Sequence, residues 1–302
     1  MLRKIGSFVG MLLLAALPAA AQKVGVVMSG GGAKGLYHIG VLEALEENGV
    51  PIDYVAGTSM GSIIAAMYAA GYSPAEMRAI VKSGVVKEWV SGRIDPNKYM
   101  AYYRQVGSNP AFLSLRIDVE SPSGKRLRVP RNLISSTQID MALTELFAPA
   151  TAAADGDFDR LMVPFLCVAS DLNHRGPVVL REGDLSEAVR SSMSIPLVFK
   201  PMVKDSMLLY DGGIYDNFPW KPLDETFRPD YLIGSKCTSG NTEPNAKSIM
   251  DQVWMLTMEK TDYDMPAGRS TLIERAVDVS MLDFSQADAI IQSGYDDTMA
   301  LM

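Results

Sequence analysis

Two glycine-flanked motifs near the start of the chain carry residues suited to acyl transfer through a serine. Gly57-Thr58-Ser59-Met60-Gly61 has the G-x-S-x-G spacing of a nucleophile elbow. Small residues flank the serine because the turn from strand to helix leaves no room for a Cβ. The turn lifts one hydroxyl clear of the backbone, and the helix that follows brings unpaired N–H groups and a positive dipole end next to Ser59. Upstream, Gly30-Gly31-Gly32-Ala33-Lys34-Gly35 is a run of backbone N–H groups without side chains to block them, set before a helix. Such a loop holds negative charge. One motif supplies a nucleophile, and the other can hold the oxyanion that its attack creates.

The glycine loop has a second reading, since G-x-G-x-x-G after a strand is also the fingerprint of dinucleotide binding, with Glu47 or Asp53 as the ribose-binding acid. Three consecutive glycines suit an oxyanion hole better, and a dinucleotide site leaves Ser59 without a role. A Walker loop is excluded because Lys34 is not followed by Ser or Thr.

The general base is not evident from the motifs. The chain has 2 histidines. His38 lies in the helix after the glycine loop and reads as a structural residue. His174, in the polar loop Asp171-Leu172-Asn173-His174-Arg175-Gly176, is an outside candidate. Asp211 is better placed, because it closes the apolar run Met207 to Tyr210 and precedes Gly212-Gly213. A carboxylate at the end of a strand, beside glycines that admit another backbone, suits an α/β site. Its competing reading is a turn aspartate.

The elements that must position these residues follow from the apolar pattern. Val24 to Met28 is a short buried strand, and the next helix carries Leu36, Ile39, Leu42 and Leu45 at helical spacing until Asn48-Gly49. Tyr54 to Ala56 is a second strand leading into the elbow, and Ser62 to Ala70 a buried helix. Strand and helix in alternation predict a parallel sheet with helices on its faces. Further on, Pro74 opens a helix to about Lys82, Thr137 to Phe147 is helical, and Phe165 to Ser170, Leu208 to Tyr210 and Tyr231 to Ser235 are strands. A hairpin is expected where Leu113 to Val119 and Lys125 to Val129 flank Ser121-Pro122-Ser123-Gly124. From Ala246 onward helical patterns dominate.

Bulk properties narrow the classes. An apolar content of 48% with 21% charged residues is that of a chain able to bury a core. The formal charge of −7 argues against nucleic acid as a partner but not against lipid. Arg3 and Lys4, the apolar stretch Val9 to Ala16, and Ala19-Ala20-Ala21 read as a secretory signal peptide over residues 1–21, cut after Ala21. A single domain over 22–302 and an exported protein in the periplasm, at an outer membrane or outside the cell are then expected. Cys167 and Cys237 lie in apolar segments and read as buried thiols rather than a bridge. The methionines Met255, Met258, Met265, Met281, Met299 and Met302 read as core filler before acyl groove. Lys34 and Arg175 are solvated charges or contacts for a lipid phosphate.

Taken together, Gly30 to Gly35, Gly57 to Gly61 and Asp211-Gly212-Gly213 resemble, in order and spacing, the three motifs of patatin-like phospholipases. Ser191-Ser192-Met193-Ser194-Ile195-Pro196, with Phe199 and Pro201, and Pro164 to Leu172 resemble other shared blocks of that family. The resemblance covers about Lys23 to Ser235. The last motif ends in glycine, as in bacterial members, where plant members have alanine. The resemblance implies a three-layer α/β/α fold with a mainly parallel sheet. It also implies a lipid acyl hydrolase of phospholipase A type, with a phospholipid or other acyl ester as substrate and a membrane surface as a possible partner. In that pattern Ser59 is the nucleophile and Asp211 the proton acceptor, with no histidine. Backbone N–H groups of Gly30, Gly31, Gly32 and Met60 form the oxyanion hole, and Gly35, Gly57, Gly61, Gly212 and Gly213 are motif glycines. No metal and no organic cofactor is implied. The alternative is a lipid- or partner-binding module that keeps the fold without turnover.

Overall fold

The structure, a computed structural model, describes residues 22–91, 116–118, 126–128, 134–239 and 259–302. The signal-peptide segment and the methionines at 255 and 258 lie outside the described residues. The chain opens with β1 (Val24–Met28), a tight 3-10 turn (Gly32–Leu36), α1 (Tyr37–Glu47), β2 (Tyr54–Thr58), α2 (Met60–Ala69), α3 (Pro74–Lys82) and α4 (Val85–Ser91). It continues through β3 (Arg116–Asp118), β4 (Arg126–Arg128), α5 (Thr137–Ala154), β5 (Phe165–Asp171), β6 (Gly176–Leu180), α6 (Leu185–Ser192), β7 (Met202–Lys204) and β8 (Met207–Asp211). The last elements are α7 (Trp220–Phe227), β9 (Tyr231–Lys236), β10 (Ser270–Glu274) and α8 (Ala287–Met299).

The main sheet runs β10-β9-β1-β2-β5-β8-β7, with β6 also paired to β5. β10, β9, β1, β2 and β5 are mutually parallel, while β6, β8 and β7 add antiparallel pairs. The central strands β1 and β5 are covered on both faces, and every residue of each is buried. Alternate residues sort to two sides. Val27, Ala56, Leu166 and Leu232 pack with Phe218 and with Leu223 of α7 on one face. Val26, Met28, Val55 and Cys167 join the larger core built with α1, α2, α5, α6 and α8 on the other. This is a three-layer α/β/α fold. α8 lies along α1, tied by the Tyr37 hydroxyl donating to Asp297 at 2.9 Å.

Several expectations change at the edges. α5 runs on through Pro149 to Ala154 instead of stopping near Phe147, and ends where Asp155 turns left-handed at φ 54°. The C-terminal part is not mainly helical among the described residues. Ser270–Glu274 is an edge strand parallel to β9, and α8 is the one helix there. The β-branched run Thr271, Ile273 favours the pleated sheet, with Leu272 packing beside it. β3 and β4 pair antiparallel as expected, in register Arg116 with Arg128.

Register explains where a site can form. Met28 of β1 lies opposite Gly57 of β2 on one side and Ser235 of β9 on the other. The glycine loop, the elbow and the exit of β9 therefore leave the sheet at one edge, at the carboxyl ends of the parallel strands. β8 enters from the other direction, and its last residue, Asp211, pairs with Ala169 of β5.

Candidate active site

Ser59 stands between β2 and α2 with φ 53° and ψ −122°, a left-handed conformation that an L-residue adopts only under constraint. The constraint is local packing. A Cβ added to Gly61 would lie 2.4 Å from the Met28 carbonyl oxygen, and one added to Gly57 would lie 2.3 Å from the Gly61 oxygen. Only glycine lets the elbow sit this close to β1.

The Ser59 hydroxyl donates to Asp211 Oδ2 at 2.6 Å. The other carboxylate oxygen, Oδ1, accepts from the Gly213 N–H at 2.8 Å. Asp211 is fully buried, and Ser59 is 4% exposed. Burial pushes the Asp211 carboxyl up to about 7, against the opposing pull of the bonds from Ser59 and Gly213. A carboxyl raised this far is a stronger proton acceptor than an ordinary aspartate.

Both members are propped by the segment around α6. The Ser192 hydroxyl accepts from the Ser59 N–H at 3.1 Å and donates to the Val168 carbonyl at 2.6 Å. The Asp211 N–H donates to the Ser194 carbonyl at 3.0 Å. The Thr58 hydroxyl donates to the Asp216 carbonyl at 2.9 Å, so the strand of the nucleophile is tied to the stretch that follows the base. Ser192 and Ser194 stood in the sequence only as part of a shared block, and no pattern distinguished Thr58.

The glycine loop lies against the nucleophile, since a Cβ on Gly30 would stand 3.1 Å from Ser59 Cβ. The N–H groups of Gly31, Gly32 and Met60 have no acceptor among the described residues. Gly30 is different. Its N–H donates to the Asn217 carbonyl at 3.1 Å, which removes it from the set of free oxyanion donors. Gly35 packs the 3-10 turn onto the start of α2, where its added Cβ would meet Met60 Cγ at 2.5 Å. Gly212 and Gly213 form the turn after Asp211, buried against β5.

Neither histidine shares this site's bonds. His38 is fully buried between the Ser235 hydroxyl (2.6 Å) and the Ser29 carbonyl (2.9 Å), and burial lowers it to about 4. His174 sits on the β5–β6 turn with a side chain 74% exposed, paired to Asp171. The thiols of Cys167 and Cys237 are free and buried. Met265 and Met281 pack partly buried against the cores, whereas Met299 and Met302 are exposed. Lys34 is half-buried in the 3-10 turn, and Arg175 is exposed on the β5–β6 turn with φ 55°.

Comparison with known proteins gives a family. A family model described as patatin-like phospholipase matches residues 26–224. A lysophospholipase NTE1 of Cryptococcus neoformans is 30% identical over 226 residues, which is 74% of this chain and 12% of that protein. Patatin-like phospholipase domain-containing protein 6 of Homo sapiens is 30% identical over 198 residues, 65% of this chain and 12% of that protein. An uncharacterised NTE family protein of Mycobacterium tuberculosis is 27% identical over 259 residues, 84% of this chain and 61% of that protein. The chain thus spans between about an eighth and three fifths of these relatives. Among solved structures, VipD from Legionella pneumophila aligns with 93% of this chain and 66% of its own at a TM-score of 0.48 and 16% identity.

Proposed function

The chain belongs to the patatin-like phospholipase family, and from that premise we propose that it is a serine lipid acyl hydrolase working through a Ser59–Asp211 dyad. The observation that carries the reading is the 2.6 Å hydrogen bond from a strained elbow serine to a buried aspartate whose carboxyl is raised to about 7.

In this reading the ionised Asp211 takes the Ser59 proton as Oγ attacks the ester carbonyl carbon. The tetrahedral oxyanion accepts from the N–H groups of Gly31, Gly32 and Met60, beside the positive end of α2. Asp211 then returns its proton to the departing alcohol as the C–O bond breaks, leaving an acyl group on Ser59. Water attacks that acyl carbon, Asp211 accepts the water's proton and passes it to Ser59, and the fatty acid leaves. A phospholipid, cleaved as by a phospholipase A, is the substrate class we propose. Exposed Leu197 (52%) lies in the loop that carries Ser194, the partner of the Asp211 amide, and supports contact with a membrane or micelle surface. Export through residues 1–21 remains part of the proposal.

The test is hydrolysis of a p-nitrophenyl acyl ester and labelling by a fluorophosphonate, followed by a phospholipid panel read by mass spectrometry. Ser59→Ala should abolish both turnover and labelling, and Asp211→Asn should lower turnover by about a thousandfold or more, each with the fold intact. Wild-type protein that neither labels nor turns over would support the binding-module alternative.

A further inference from the structure

Gly30, Gly31 and Gly32 have no side chains, so residues outside this run must fix the direction in which its N–H groups point. We propose that Asn217, together with His38, is a positioning residue that aims the Gly31 N–H at the reacting carbonyl. This rests on the hydrolase reading of the site for its catalytic consequence, though not for its geometry.

In a planar trans peptide, C=O and N–H point in opposite directions. The described chain has no cis peptide bond. In the Ser29–Gly30 peptide, the carbonyl accepts from His38 Nε2 at 2.9 Å and the N–H donates to the backbone carbonyl of residue Asn217 at 3.1 Å, a bond that side-chain substitution leaves in place. Because a carbonyl can only accept, Nε2 carries the imidazole proton, and Nδ1 accepts from the Ser235 hydroxyl at 2.6 Å. This peptide is therefore held at both ends, with His38 on one side of the loop and Asn217 on the other.

The next peptide, Gly30–Gly31, is held through its oxygen. Gly30 O accepts from Asn217 Nδ2 at 3.5 Å and from Cys237 Sγ at 3.6 Å. Fixing that oxygen toward Asn217 and Cys237 turns the Gly31 N–H to the opposite side. There it has no acceptor among the described residues, in a loop that abuts Ser59. Asn217 is 5% exposed and follows Asp211-Gly212-Gly213 by four positions past its last glycine. One short stretch of chain thus holds the base by Gly213, the nucleophile strand by the Asp216 carbonyl, and the oxyanion loop by Asn217.

Three variants of the full chain test this: Asn217→Ala, the near-isosteric Asn217→Asp, and His38→Gln, which keeps an amide donor. Hydrogen exchange over residues 29–32, read by mass spectrometry, reports the clamp whether or not the protein turns over. Exchange there should rise about tenfold in Asn217→Ala while the melting temperature stays within a few degrees. For the p-nitrophenyl ester and the fluorophosphonate, kcat and the labelling rate should fall about 10- to 100-fold with KM nearly unchanged. Asn217→Asp should be at least as impaired, because its carboxylate faces the Gly30 carbonyl, and His38→Gln should lose less than Asn217→Ala. Unchanged exchange over residues 29–32 in both Asn217 variants would overturn the clamp. So would a loss of activity matched by an equal loss of folded protein. If exchange is faster in Asn217→Ala but the wild-type protein has no esterase activity, the clamp stands and the hydrolase reading fails.

Discussion

Ser59 and Asp211 are 152 positions apart in the chain and meet at 2.6 Å, both buried, at the carboxyl ends of the parallel strands. Their elements approach from opposite directions. β2 delivers Ser59 at its carboxyl end, and β8, antiparallel to β5, brings Asp211 to the same place. Among the described residues, the charge on Asp211 is met by Ser59 and the Gly213 N–H, with no cation beside it. That environment sets the behaviour of the site toward protons.

The pH profile follows from the raised Asp211 carboxyl. Only the ionised form accepts the Ser59 proton, and the value of about 7 sets its midpoint. For p-nitrophenyl ester hydrolysis, kcat/KM should rise with pH and reach half its plateau near 7. A profile already flat from pH 5 upward would show that Asp211 ionises like an ordinary surface carboxylate.

Stability should move the other way. The folded state keeps Asp211 protonated up to about 7, whereas in the unfolded chain that proton is lost near 3.8, as from an ordinary aspartate. Between those values the folded state binds more protons, so the contribution of this group to stability falls as pH rises. Asp211→Asn removes the effect. Its stability relative to wild type, by urea unfolding, should improve on going from pH 5 to pH 8, by on the order of 2–4 kcal/mol. An equal difference at both pH values would contradict the argument.

Ser192 should matter to the nucleophile without touching substrate. Its hydroxyl joins the Ser59 N–H to the Val168 carbonyl, both inside the core. Ser192→Ala leaves two buried backbone groups short of a partner, for a loss of about 1–3 kcal/mol. Because one of them belongs to the strained elbow, kcat should fall in protein that remains folded, and Ser192→Thr, which keeps the hydroxyl, should recover part of it.

Arg190 secures the loop behind Asp211. It is 3% exposed and donates to Asp140 at 2.6 Å, to the Ser194 hydroxyl at 2.6 Å and to the Lys200 carbonyl at 3.0 Å, with its guanidinium over Phe199. Asp140 is 45% exposed and can be solvated alone, so the ion pair itself contributes little. Arg190→Met should still cost about 2–3 kcal/mol in a chemical melt, through the orphaned Ser194 and Lys200 oxygens. A change below about 0.5 kcal/mol would mean that these bonds do not hold the loop.

Much of this protein was legible in one dimension. Val24–Met28, Tyr37–Glu47, Tyr54–Thr58 and Met60–Ala69 appear where apolar period, glycine breaks and the elbow spacing put them, because each signal is local and the buried strands are uniformly apolar. Ser59 was legible for the same reason. Shorter elements such as β6, β7, β10 and α7 were not, since a few residues carry too little periodicity and their state is set by the strand or helix beside them.

The base was a different matter. Asp211, His38 and His174 each had a reading along the chain, and resemblance to a family favoured Asp211. Only the fold brings that carboxyl to Ser59, buries His38 under the glycine loop and leaves His174 on an exposed turn. The family resemblance likewise offered Gly30, Gly31, Gly32 and Met60 as oxyanion donors. Gly30 leaves that set because its N–H is taken by Asn217, 187 positions away. Local pattern determines which segments become strand, turn and helix. Which N–H is spent, which carboxyl is dry and which side chains meet are long-range facts, decided by packing in three dimensions.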